Sequence, residues 1–204
     1  MTARSGHSQV PPFGDRRKQR IGILGGSFNP AHEGHLHISG AALKVLQLDQ
    51  IWWLVSPQNP LKSPYTMAPL ADRLQRAAAV AGDHRIVVTD LESRLGSTRT
   101  ALTLSRLKQR YPAISFVWLM GADNLAQCPH WWRWTRIFQT TRVAVFDRSP
   151  YSYGALAGVA AKRFAEARTG KPSALWHRRL PAWTYIAIRR HPASATAIRA
   201  QHKL

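Results

Sequence analysis

The 204-residue chain contains a single cysteine, Cys128. One thiol excludes an internal disulfide framework and suits a reducing compartment, so a cytoplasmic location is expected. No uncharged apolar stretch approaches the roughly 18 residues that a membrane span requires. The opening MTARSGHSQVPPFGDRRKQR lacks the apolar middle of a secretory signal. Acidic residues are scarce as well: 10 Asp and Glu stand against 29 Lys and Arg, a formal net charge of +19. That shortage leaves no carboxylate cluster to hold a divalent ion. The basic excess attracts polyanions such as nucleic acid, anionic lipid or phosphorylated small molecules, and it equally describes a solvated surface rich in arginine. Charge alone names no ligand. Internal repeats and low-complexity segments are absent.

With 45% hydrophobic residues, a chain of this length can bury the core of one domain. Residues 1–19 are expected to form a basic, flexible tail, and residues 20–204 a single domain. Short apolar runs rich in β-branched and aromatic residues predict strands over 20–25, 51–56, 85–89, 114–120, 141–146 and 183–188. Between them, helices are predicted over 33–47, 69–81, 98–110, 131–139 and 153–168, with a short one from 194. Alternating strand and helix predicts an α/β fold, a Rossmann-like doubly wound parallel sheet with helices on both faces. The near-continuous apolar runs fit strands covered on both sides. Open sheets of this kind bind ligands beyond the carboxyl ends of their strands. That rule selects 25–35, 57–62, 91–100, 121–134 and 194–199.

The first of these stretches, GGSFNPAHEGHL at 25–36, follows the apolar run Ile21–Leu24. Gly25 and Gly26 let backbone approach a ligand closely. The chain then turns through Phe28, Asn29 and Pro30 into a helix near Glu33, whose unpaired N–H groups and dipole favour an anion. His32 and His35, three residues apart, share one helix face. Two imidazoles beside backbone donors can hold phosphate oxygens and stabilise charge that grows on them. No Gly-Lys-Ser/Thr closes a P-loop here, and GxGxxG is not matched. His32, His35 and His37 also admit a metal reading, but HEGH lacks the i, i+4 pair of a helical zinc site.

GGSFNPAHEGH resembles the GxFxPxHxGH signature of the nucleotidylyltransferase superfamily, with Asn29 where members usually carry Asp. Three further stretches narrow the resemblance to bacterial nicotinate-mononucleotide adenylyltransferases. GADNLAQCPHWWRWTRI is similar to that family's GxDxL…W-x5-I segment, through Gly121, Asp123, Trp131 and Ile137. SPQNPLK is similar to its P-x-x-x-P-x-K loop, and SATAIR to its closing IS-x-T-x-IR. VAVFDR, ending in Arg148, also fits. One departure stands out: TRTALTL carries Arg99 where the family has tyrosine, although Thr100, Thr103 and Leu104 match.

The resemblance implies adenylyl transfer from ATP to nicotinate mononucleotide, giving deamido-NAD and pyrophosphate, with Mg²⁺ arriving on the ATP. It implies His32, His35 and Arg199 as the catalytic groups. Gly25, Gly26, Ser27, Phe28, Gly121, Asp123, Ser194 and Thr196 would complete the ATP site, and Lys62, Thr100 and Trp131 would hold the mononucleotide. Asp123 can serve as a helix N-cap too. Trp131 suits a flat wall for a pyridine ring, Trp132 and Trp134 suit packing, and Cys128 suits an inert thiol. The alternatives are a nicotinamide-mononucleotide or pantetheine-phosphate transferase, or a basic nucleic-acid-binding protein. No recognised RNA motif favours the last.

Overall fold

The computed structural model describes residues 10–11, 13–57, 67–147 and 152–189. The apolar runs form strands β1 (Arg20–Gly26), β2 (Gln50–Val55), β3 (Ile86–Thr89), β4 (Ser115–Gly121), β5 (Arg142–Phe146), β6 (Arg168–Thr169) and β7 (Trp183–Ile186). They make one sheet in the order β3-β2-β1-β4-β5-β7-β6, and every neighbouring pair is parallel. The chain winds outward from β1 to β3, then returns to β4 and winds the other way. The reversal leaves a crevice between the carboxyl ends of β1 and β4, where such sheets hold ligands.

Helix α1 (Glu33–Val45) joins β1 to β2, and α2 (Leu70–Ala81) joins β2 to β3. Helices α3 (Leu91–Arg94) and α4 (Thr100–Arg110) precede β4; α5 (Ala122–Gln127) and α6 (Thr135–Thr140) precede β5. Helices α7 (Ser152–Leu156) and α8 (Val159–Arg163) lead toward β6. Strand residues alternate between two cores. Ile21, Ile23, Trp52 and Trp118 pack with Leu104, Leu107, Leu125 and Phe138 on one face. Leu24, Trp53 and Val55 pack with Ala42, Leu43, Ala77 and Leu175 on the other. Burial on both faces is why the strands read as unbroken apolar runs. Trp53 keeps its indole N–H paired by donating to Ser39 Oγ on α1, at 2.9 Å.

Two expected helices need correction. The helix predicted over 153–168 is two short helices, because Gly158 adopts an extended backbone (φ −78°, ψ 173°) as the N-cap of α8. The helix predicted from 131 begins at Thr135, after Arg133 turns the chain at φ +48°. Helix α5 and the two-residue β6 are too short for periodicity to announce. Of the residues expected to form a tail, those described from Val10 onward include several that touch the folded body. Tyr111 donates its hydroxyl to the Pro11 carbonyl at 3.0 Å, the Gly14 N–H donates to the Arg110 carbonyl at 2.8 Å, and the Phe13 ring lies 5.7 Å from that of Tyr111. The helix predicted from 194 lies outside the described residues. No helix among the described residues is long and apolar enough to cross a membrane.

Candidate active site

Gly25 and Gly26 are the last residues of β1, and Ser27 and Phe28 begin the turn that follows. The two glycines differ in their reason. A Cβ on Gly25 would collide with Cη2 of Trp118 from β4, whereas one on Gly26 would meet the Phe28 ring at an ordinary 3.5 Å. The first glycine is therefore required by the neighbouring strand's indole, not only by ligand approach. Phe28 sits at φ +45°, uncommon for a bulky residue. Its ring is stacked 5.1 Å from Trp53 and lies 4.6 Å from His35.

His32 is the N-cap of α1, and the two histidines close a reciprocal cap. His32 Nδ1 accepts the Gly34 N–H at 3.1 Å, and His35 Nδ1 accepts the His32 N–H at 3.2 Å. A backbone N–H can only donate, so both Nδ1 atoms must be unprotonated acceptors, and Nε2 carries the proton in each neutral ring. The cap thus fixes the tautomer as well as the ring direction. The centroids are 4.0 Å apart, so the two imidazoles lie side by side at the N-terminus of α1. His37 does something else: its Nε2 donates to the Arg189 carbonyl beyond β7. Among the described residues no group of three or more His, Cys, Asp or Glu can hold a metal ion.

Gly121, at the end of β4, is the N-cap of α5, and Asp123 lies in that helix's first turn. The cap expected of Asp123 belongs to Gly121. Thr100 is the first residue of α4, with Arg99 as N-cap. Trp131 ends the 3-10 turn Cys128–His130, donating its N–H to the Cys128 carbonyl at 2.9 Å. Its side chain is partly buried against the core. Burial pushes the Cys128 thiol up to about 12, which keeps it protonated and inert. Trp134 packs edge-on to Phe138 and Phe164, as expected. Trp132 does not pack in the core: it is 41% exposed, with the Arg99 and Arg133 guanidinium carbons 4.8 and 4.7 Å from its ring centroid. The expected Lys62, Arg148, Ser194, Thr196 and Arg199 lie outside the described residues.

Two elements of the site went unforeseen. Arg73 of α2 is buried, and its guanidinium donates to four carbonyls. They belong to Ala68 (2.8 Å), Ser27 (2.7 Å), Ser56 (2.7 Å) and Pro57 (3.0 Å). Helical spacing could have flagged it, because Arg73 shares the buried stripe of Ala77 and Ala81. Glu92 of α3 is buried and accepts from Thr103 Oγ at 3.0 Å and from the Ser56 hydroxyl. Burial pushes its carboxyl above the usual glutamate range, and the two hydrogen bonds oppose that rise. Ser56 in turn donates its N–H to the Gly26 carbonyl at 2.9 Å, tying α3 and α4 to the end of β1. Nothing in the local pattern announces Glu92, since its partners come from two other elements.

A family model described as cytidylyltransferase-like matches residues 23–201. A protein of Gluconobacter oxydans named "Probable nicotinate-nucleotide adenylyltransferase" is 49% identical over 184 residues, covering 88% of this chain and 93% of that one. A Rhizobium johnstonii protein of the same name is 46% identical over 181 residues, covering 88% and 91%. Among solved structures, the Plasmodium falciparum nicotinic acid mononucleotide adenylyltransferase complexed with NaAD superposes with a TM-score of 0.69. It is 17% identical, covers 89% of this chain and 83% of that one, and so bears on the fold alone. With the family model spanning nearly the whole sheet, the chain belongs to the cytidylyltransferase-like family.

Proposed function

We infer that the protein transfers the adenylyl group of ATP to nicotinate mononucleotide, giving deamido-NAD and pyrophosphate, a step of NAD biosynthesis. The observation that carries this reading is the reciprocal histidine cap at the β1–β4 crevice, supported by the relatives' names. A phosphate oxygen of the mononucleotide attacks the α-phosphorus of ATP, and the bond from that phosphorus to the oxygen bridging it to the β-phosphate breaks. The nucleophile is already an anion, so no general base is needed. Catalysis then consists of alignment and of stabilising charge on the equatorial oxygens. His32 and His35 donate from Nε2 to those oxygens, beside the N–H groups that open α1. On the resemblance of their motifs, Arg199, Ser194 and Thr196 hold the outer phosphates, Gly121 and Asp123 meet the nucleoside, and Lys62 meets the mononucleotide phosphate. Thr100 and the indole of Trp131 face the nicotinate end.

A divalent ion accompanies ATP in transfers of this kind, and we take it to be Mg²⁺. The described residues do not fit a protein-held ion, since no cluster of ligands is present among them. The ion is carried by phosphate oxygens and water, and no step is assigned to it. The enzyme would work in the cytoplasm. The test is to incubate the protein with ATP and Mg²⁺ and, separately, nicotinate mononucleotide, nicotinamide mononucleotide or phosphopantetheine. Pyrophosphate release is expected with the first and at a lower rate with the second. Release only with phosphopantetheine, or none at all, refutes the reading.

A further inference from the structure

We propose that Arg73 is a positioning residue that aims the Phe28 backbone N–H into the polyphosphate cradle. The proposal rests on the adenylyl-transfer reading above and assigns a role to a side chain remote from the reacting atoms.

The Ser27–Phe28 peptide is not among the cis bonds, which are Asn29–Pro30 and Leu180–Pro181. In a planar trans peptide the C=O and the following N–H point in opposite directions. Arg73 Nη1 holds the Ser27 carbonyl at 2.7 Å from inside the protein, so the Phe28 N–H must point away from that buried guanidinium. No acceptor among the described residues takes this N–H. The geometry that results is awkward in itself: Phe28 stands at φ +45°, a conformation that persists only where its surroundings over-determine it. Two constraints act here. The Phe28 ring packs against both Trp53 and His35, which also touch each other, and the carbonyl before it is pinned by Arg73.

The chemistry of the clamp suits this task. Guanidinium is planar and permanently charged, with five donors in a fixed fork. Arg73 spends its bonds on the carbonyls of four residues from three segments: the β1 turn (Ser27), the end of β2 (Ser56, Pro57) and the approach to α2 (Ala68). No carboxylate among the described residues pairs with it. A buried cation without a counter-ion is expensive unless hydrogen bonds compensate it. Four carbonyls do so, and each is polarised in return, which sharpens the donor on the far side of its peptide. The turn therefore meets an incoming anion with an amide already oriented, so no reorganisation is needed when charge develops.

The test uses protein labelled with ¹⁵N-phenylalanine, which carries only six phenylalanines, titrated with the non-cleavable α,β-methylene analogue of ATP. In the wild type the Phe28 amide resonance is expected to move on binding. In Arg73→Lys, and again in Arg73→Gln, that movement is expected to vanish while the ATP KM rises at least tenfold, measured well below each variant's melting temperature. Three outcomes overturn the proposal: a wild-type Phe28 amide that stays still while other resonances move, folded variants that keep both the shift and an ATP KM within twofold, or variants that both lose the fold. The last would assign Arg73 to stability alone. If no wild-type resonance moves and no pyrophosphate is released, the adenylyl-transfer reading fails first, and the proposal with it.

Discussion

On the β1 side of the crevice the polar side chains are committed to backbone, whereas on the α4 side they are held by an exposed aromatic face. His32 and His35 are locked by two amide hydrogen bonds, and Arg73 by four carbonyls. Across the cleft, Arg99 and Arg133 flank the half-exposed Trp132 without a carboxylate partner among the described residues. Groups tied to backbone have one geometry and suit the part of the reaction in which charge must be met at a fixed place. Side chains resting on an aromatic face keep rotamer freedom and suit the choice of a second substrate. Substitutions on the first side should therefore act on turnover, and those on the second on affinity.

The largest effect is expected from His35→Ala. It removes an Nε2 donor, and kcat should fall by roughly 10² or more, as when one preorganised donor is lost. It also removes half of the cap on α1, so a melting experiment should show about 0.5–2 kcal/mol of lost stability. A folded variant with near wild-type turnover would break the comparison on its rigid side.

Next is Trp131→Ala, which should raise the mononucleotide KM far more than the ATP KM. The loss should correspond to about 1–3 kcal/mol, by analogy with base stacking. Equal changes in both constants would mean that the indole serves packing, and the two sides of the cleft would then not divide the substrates.

Arg99→Tyr is a smaller test of the same division. It restores the residue type of the resembled motif and removes one guanidinium from Trp132, an exposed cation–π contact worth about 0.5–1 kcal/mol. The mononucleotide KM should shift by less than about fivefold by that measure, with the ATP KM unchanged. A larger change in the ATP KM would place Arg99 on the wrong side of the comparison.

The smallest effect should come from outside both regions. The Arg85 guanidinium holds the Asp83 carboxyl at about 2, below its ordinary 3.8. A depressed carboxylate stabilises the fold above its unfolded value and loses that contribution as pH falls through about 2. Asp83→Asn should therefore cost well under about 1 kcal/mol at neutral pH, as for an exposed pair, and should flatten the acid limb of the stability curve between roughly pH 4 and 2. Turnover should be untouched. A change in kcat would show that the amino end of β3 communicates with the site.

Much of the architecture is legible along the chain. Period and length mark six of the seven strands, because a strand covered on both faces must be apolar throughout. The 25–36 turn is equally legible, since its spacing of glycine, proline and histidine is local and the cap it forms closes within four residues. Short strands such as β3 and β7 are legible because they are apolar throughout, whereas short helices are not. A six-residue α5 and a two-residue β6 carry too few turns or alternations to rise above their surroundings, and Gly158 breaks a helix that composition alone would have continued.

By itself, the sequence determined the strand–helix alternation, the histidine turn and the aromatic segment around Trp131, all of which depend on neighbours a few residues away. Tertiary structure alone decided the rest. The strand order brings β4 beside β1, so Trp118 dictates a glycine at Gly25. It gathers Ser27, Ser56, Pro57 and Ala68 around one guanidinium, and it joins Glu92 to Ser56 and Thr103. Hydrogen bonds of this kind are satisfied by whichever backbone arrives from far along the chain, and no local pattern records who the partner will be.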